Sequence, residues 1–340
     1  IMVAKYGLMI GITYPDTSSY LPGCDNDVLD VYKFLKQRGY DNFNVLCDTD
    51  VFSGENVSVT APTVHNIVRS FFELIDWAKA NPEGHIFIHY SGHGTQVADK
   101  DLSFDAKTQD WVKEEVDGKD ECIVTQDLYL ITDDQLRWLF KQMPSTIKIF
   151  SLMDSCHSGS AFDLKYYLKE ATNDISETAI EEQTSDIVMI SGCRDDQYGQ
   201  SSQFSGKWYG VMTYAFLYLM NYVTKYNMGE CSMRDIWRYM GMICNNFPQI
   251  PQMSSSKREF DTTKLLCTSS TFEMITATPV IASMVNVQQT QETQQTQETQ
   301  QTQQTQETQR SNVYVSHKQN NVYMLSYGKS SRKTSKLIWS

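Results

Sequence analysis

Five stretches of the chain are apolar on consecutive positions instead of alternating: YGLMIGITY at 6–14, FNVLCD at 43–48, HIFIHY at 85–90, TIKIFSLM at 146–153 and DIVMISG at 186–192. Short continuous runs rich in Ile, Val, Phe and Tyr predict strands buried on both faces. Between them the apolar positions recur with helical period. Residues 25–38 place Val28, Leu29, Val31, Tyr32 and Leu35 on one face, 64–79 place Val64, Ile67, Val68, Phe71, Phe72 and Ile75, and 133–143 place Leu136, Leu139 and Phe140. Two further helical segments, 209–225 and 232–244, come after the fifth run, and FDTTKLLCT at 260–268 reads as a closing strand. Strands alternating with crossovers long enough to hold helices predict an α/β fold: an open, mostly parallel sheet with helices on both faces. Sites in such folds form where strands end.

The pattern stops before the chain does. Residues 288–309 read QQTQETQQTQETQQTQQTQETQ, without one aromatic or aliphatic residue, so they have nothing to bury against their ordering entropy. The reading is a folded body over 1–280, a Gln/Thr-rich linker over 281–309 and a basic tail over 310–340, which carries six basic residues and no acid. The 340 residues contain 29 Lys plus Arg against 41 Asp plus Glu, a net charge of −12, or −18 on the first 309. That balance disfavours a nucleic-acid partner, which needs clustered positive charge, and suits a cationic ligand. No run approaches about 18 apolar residues, so no membrane partner is expected. The eight cysteines show no CxxC pair, which fits reduced thiols and a cytoplasmic location.

Chemistry concentrates after the third and fourth runs. One leads into Ser91-Gly92-His93-Gly94 and the other into Asp154-Ser155-Cys156-His157-Ser158-Gly159, so neighbouring parallel strands deliver a His and a Cys to the same sheet end. Thiolate is the reactive form of cysteine, and an imidazole can take its proton and return one to a leaving amine. The backbone N–H groups of Gly94 and Cys156 are candidate donors to the carbonyl oxygen of a bound acyl group, which makes acyl transfer the expected reaction class. Glycines on both sides of His93 are expected to let a ligand approach. His157 is a rival base, but alternation along an extended segment turns it away from Cys156. Zinc on His85, His89 and His93 is disfavoured, because a strand spreads them over roughly 13 Å.

HYSGHG at 89–94 and DSCHSG at 154–159 resemble the paired catalytic motifs of type I metacaspases. LPGCDND at 21–27, DECIV at 120–124, ITDD at 131–134, VMISGCRDDQ at 188–197 and PQIPQMSSS at 248–256 follow the family pattern in order. The resemblance implies a caspase-like cysteine protease that cleaves after Arg or Lys, with a large-subunit-like part over 1–163, a connecting segment over 164–185 and a small-subunit-like part over 186–280. An N-terminal prodomain, usual in the family, is not expected, since the first strand begins at once.

Spacing supplies a physical reason for basic specificity. Ser91 lies two residues before His93 and Asp154 two before Cys156, so on extended strands each pair faces one side. The resemblance adds Asp27 as a second acid of the substrate pocket and Cys24 as part of its wall. Residues 99–134 hold twelve acids against four lysines, and the resemblance selects Asp120, Asp133, Asp134 and Asp163 as a site for activating calcium, whose hard oxygen preference suits carboxylates. Thr132 to Gln135 also fits a helix capping box, which would place Asp133 and Asp134 at a helix start instead. The expected partners are protein or peptide substrates with Arg or Lys before the scissile bond, and the expected state is a monomer. Lys165 and Lys169 make the connecting segment a candidate for self-cleavage. The alternative is a scaffold acting through the Gln-rich linker and basic tail.

Overall fold

The computed structural model describes residues 3–98, 103–105, 110–112, 118–168, 174–178, 180–194, 197, 199–225, 232–260 and three strands between 312 and 338. The linker at 281–309 and Lys169 lie outside the described residues, as does most of the closing strand expected at 260–268.

All five apolar runs are strands of one sheet: β1 (Lys5–Gly11), β2 (Asn42–Cys47), β3 (His85–Ser91), β4 (Lys148–Asp154) and β5 (Asp186–Ser191). Their order is β2-β1-β3-β4-β5 and every pairing among them is parallel. The sheet then continues through β6 (Gln252–Ser255), antiparallel to β5. The sequence QMSS hides this strand because three of its four side chains are polar. Ser256, just past the strand, is satisfied internally: its Oγ receives the Ile187 N–H and donates to Ser185 O, both at 2.8 Å. Two short strands, Tyr166–Leu168 and Ile175–Glu177, extend the sheet past β6.

Helices α1 (Cys24–Lys36), α2 (Val64–Ala80), α3 (Asp133–Phe140), α4 (Val211–Lys225) and α5 (Met233–Cys244) cover both faces. One core joins α1, α4 and α5 to Met9, Phe87, Phe150 and Val188, and the other joins α2 and α3 to Leu8, Ile86, Ile149 and Ile187. Adjacent strand residues therefore go to opposite layers, as period-two geometry requires. Before α4 the chain forms a hairpin, Ser201–Phe204 with Lys207–Gly210, turning at Ser205 and Gly206 with φ of 51° and 80°. Two positive φ values match the hairpin turn whose twist fits its strands. The basic tail contains three antiparallel strands, Asn312–Gln319, Val322–Lys329 and Arg332–Ile338. Among the described residues no helix is long and apolar enough to cross a membrane.

Candidate active site

Parallel register sets the site. Ser91 at the end of β3 stands opposite Asp154 at the end of β4 and opposite Gly11 at the end of β1. The Gly92 N–H reaches Asp154 O at 3.3 Å, so the segments carrying His93 and Cys156 leave the sheet side by side. At Gly94 a Cβ would overlap the carbonyl oxygen of Cys156, so that backbone approach is open to glycine alone.

The glycines beside His93 make room for protein, not for ligand. A Cβ on Gly92 would lie 2.7 Å from the Tyr90 hydroxyl. Two buried tyrosines hold the His93 backbone: Tyr90 Oη donates to His93 O at 2.7 Å, and the His93 N–H donates to Tyr14 Oη at 3.1 Å. Tyr14 also packs its ring against the imidazole, with centroids 4.8 Å apart. Asp48, just past β2, accepts from the Tyr14 N–H at 2.7 Å and fixes that loop. His93 Nε2 lies 2.7 Å from Ser19 O. A carbonyl only accepts, so Nε2 carries the proton and Nδ1 keeps the lone pair of a base. Burial holds the His93 pKa below its ordinary value, partly offset by the bond to Ser19.

Cys156 is a free, half-buried thiol. Burial pushes its pKa up to about 11, the Gly199 backbone opposes that shift, and Asp154 adds to it. Burial thus favours the uncharged form of both groups, neutral imidazole and protonated thiol. The Cys156 segment is not extended: His157 has a φ of 48° and its N–H bonds Gln197 O at 3.3 Å. The strand alternation expected to orient His157 therefore does not apply there.

Beneath this turn two carboxylates meet. Asp27 is fully buried in the first turn of α1, accepting from Ser91 Oγ at 2.7 Å and from the Gly210 N–H at 3.0 and 3.1 Å. Asp154 accepts from the Thr213 N–H and hydroxyl, both at 2.8 Å and both on Oδ2. Burial first, then the charge of Asp154, pushes the Asp27 pKa well above the usual carboxylate range. Burial pushes Asp154 up to about 6 against the pull of Thr213. Gly210 separates them: a methyl there would overlap Asp154 Oδ2 and sit 2.8 Å from Asp27 Oδ2. Cys24 is buried beside them, its thiol raised by burial and by Asp27, with Ser91 opposing. Asp27, Asp154, Ser91 and Cys24 thus share one small volume.

A second acidic group lies beyond the strand Lys119–Val124. Asp120, Asp133 and Asp134 bring carboxylate oxygens within 4.8 Å of one another, while Asp163, buried with a φ of 47°, stands outside that group. The capping box is also present, with Thr132 and Gln135 bonded reciprocally. One helix start therefore serves both readings. Oxygen-only donors on three converging acids fit a hard divalent cation.

Comparison with known proteins assigns this arrangement. Residues 5–165 match the family described as metacaspase, peptidase C14 domain. Metacaspase-7 of Arabidopsis thaliana is 42% identical over 164 residues, 47% of this chain and 36% of that protein. Metacaspase-1 of Candida albicans is 29% identical over 305 residues, 74% of this chain and 65% of that protein. Residues 5–165 therefore carry a metacaspase-like peptidase domain. The chain spans about a third to two thirds of the length of those two relatives. A crystal structure of protein GSU0716 from Geobacter sulfurreducens shares the fold, with a TM-score of 0.51 and 19% identity over 78% of this chain and all of that one.

Several residues of the site carry no sequence signal. Gly210 and Thr213 grip the two pocket acids from the far side of the chain, 183 and 59 residues from Asp27 and Asp154. Ser19 reaches His93 through a backbone carbonyl, which any residue type offers. Gly199 packs on the Cys156 backbone, where a Cβ would sit 3.2 Å from Ser155 C. Its position just past the VMISGCRDDQ motif is the one hint the chain offers.

Proposed function

We propose that this chain is a metacaspase and acts as a calcium-dependent cysteine endopeptidase that cleaves after Arg or Lys. The observation that carries the reading is the buried pairing of Asp27 with Asp154, one turn beneath Cys156. Two buried carboxylates facing each other repel and are poorly solvated, and a guanidinium or ammonium between them relieves both costs at once. A neutral or acidic side chain leaves the pair uncompensated, a penalty on the order of several kcal/mol before hydration reduces it.

The chemistry follows from the atoms in place. As the Cys156 sulfur bonds to the scissile carbonyl carbon, its proton passes to His93 Nδ1. The Gly94 and Cys156 N–H groups face the oxygen on which charge develops. His93 then gives that proton to the leaving amine as the C–N bond breaks, and water, deprotonated by the same nitrogen, hydrolyses the thioester. Ser201–Phe204 pairs only with its hairpin partner among the described strands, so its other edge supports an extended substrate adding as a further strand. Asp120, Asp133 and Asp134 would hold calcium, with Asp163 a further candidate ligand; a bound cation neutralises the converging acids. The strands past β6 cover its free edge, which supports a monomer.

Fluorogenic peptides ending in Arg, Lys or Asp, assayed across a calcium titration, test this. Turnover of the Arg and Lys peptides alone, lost in Cys156→Ala, is the expected result. Equal turnover of the Asp peptide, or none of the Arg peptide at any calcium level, overturns it.

A further inference from the structure

His93 and Cys156 leave separate strands, and the segments downstream of them must be held against each other for the dyad to keep its geometry. After His93 the chain enters Gly94–Ala98, antiparallel to Lys119–Val124, with Gln96 opposite Glu121. After Cys156 it turns through Ser160. Glu121 lies between the two and is 2% exposed. Its Oε1 accepts from Gln96 Nε2 at 2.8 Å, and its Oε2 accepts a short bond from Ser160 Oγ. Lys119 Nζ donates to Gln96 Oε1 at 2.9 Å, which fixes the amide with its NH2 toward Glu121. One carboxylate therefore takes one oxygen to each catalytic segment. The Glu121 N–H donates at 2.7 Å to Asp133 Oδ2, a carboxylate of the acidic group at the start of α3.

We infer that Glu121 is a positioning residue that clamps the segment after His93 to the turn after Cys156, and that it relays cation binding at Asp120, Asp133 and Asp134 to that turn. The inference rests on the peptidase reading for its rate effect, but not for the clamp itself. A buried carboxyl group is costly unless it is hydrogen-bonded, and here each oxygen accepts a bond. The return is geometric: a displacement on the order of 1 Å at reacting groups can cost about 100-fold in rate. Ser160 carries no charge, so the loss of its hydroxyl removes the bond to Glu121 without changing the charge around the site.

The test compares full-length wild type, Ser160→Ala and Ser160→Thr. Steady-state kinetics on the Arg peptide are read beside the rate at which iodoacetamide alkylates Cys156, measured by peptide mass mapping with and without calcium. The expected result for Ser160→Ala is a kcat lowered by about tenfold to 100-fold with KM within about twofold. Its Cys156 alkylation should no longer respond to calcium although calcium still raises Tm, and Ser160→Thr should restore both. Wild-type kcat in Ser160→Ala, or an alkylation rate that answers calcium as in wild type, overturns the clamp. Should wild type cleave no Arg peptide, the peptidase reading falls, and the alkylation rates still decide for or against Glu121.

Discussion

Replacing Asp154 with Asn should make the resting protein more stable while removing the proposed preference for basic residues. In the native state the Asp154 carboxyl is raised from 3.8 to about 6 by burial. The native state thus keeps a proton that the unfolded chain has released, and stability is lost as pH rises from about 4 to about 6, then stays lost at higher pH. A shift of about two units corresponds to about 3 kcal/mol. Asn fits the same place, because both Thr213 bonds end on a single oxygen, Oδ2, which an amide oxygen reproduces. Its NH2 then takes the place of Oδ1 beside Gly192, and the side chain brings no charge to Asp27. Urea denaturation of both proteins between about pH 4 and pH 8 measures the difference. It should be close to zero at the acid end and grow to about 3 kcal/mol in favour of Asp154→Asn above about pH 6. In parallel, kcat/KM for Arg peptides should fall in the variant, and wild-type KM should rise as pH drops below about 6 and the pair takes up a proton. A stability difference that does not change with pH, or a variant less stable than wild type at about pH 8, refutes the picture of a buried acid that keeps a proton the unfolded chain releases.

Three other outcomes are expected. Gly210→Ala drives a methyl between Asp27 and Asp154, so kcat/KM for Arg peptides should drop by about tenfold or more, with a stability loss of about 1–3 kcal/mol seen by thermal melting. Alkylation of Cys156 should accelerate up to and beyond about pH 9 with no plateau near neutrality, since burial pushes its thiol up to about 11; a plateau below about pH 7 would indicate a preformed ion pair instead. Self-cleavage after Lys165 should be absent when new termini are mapped, because the Lys165 carbonyl accepts from the Thr178 N–H at 2.8 Å and the next residues pair with strands on both sides.

Much of this architecture is legible in the amino-acid sequence, and the reasons lie in particular residues. The five apolar runs are strands to within two or three residues at each end, because strands buried on both faces leave no ambiguity about which side is polar. Three helices follow from their apolar stripes, and Ser91 and Asp154 fall on one side of the sheet by period-two spacing. β6 is invisible, since Gln252, Ser254 and Ser255 leave Met253 as its one apolar side chain. The hairpin at 201–210 escapes for a similar reason: its strands are half-exposed and its turn is Ser-Gly, not Asn-Gly. Within the site, the residue types that act through side chains stand out, while Ser19, Gly199 and Gly210 act through the main chain or through having no side chain. Asp120, Asp133 and Asp134 gather within 4.8 Å of one another, and Asp163 stands outside that cluster.

The two short strands downstream of the Cys156 turn change what a cut in the connecting segment would accomplish. Tyr166–Leu168 and Ile175–Glu177 are annexed to the central sheet, and Tyr166 and Leu168 contribute to its core. A nick between them would therefore leave both halves anchored by their own ladders, like a cut stitch in a seam that is sewn on either side. Processing there would loosen a boundary of the enzyme without separating it into two pieces.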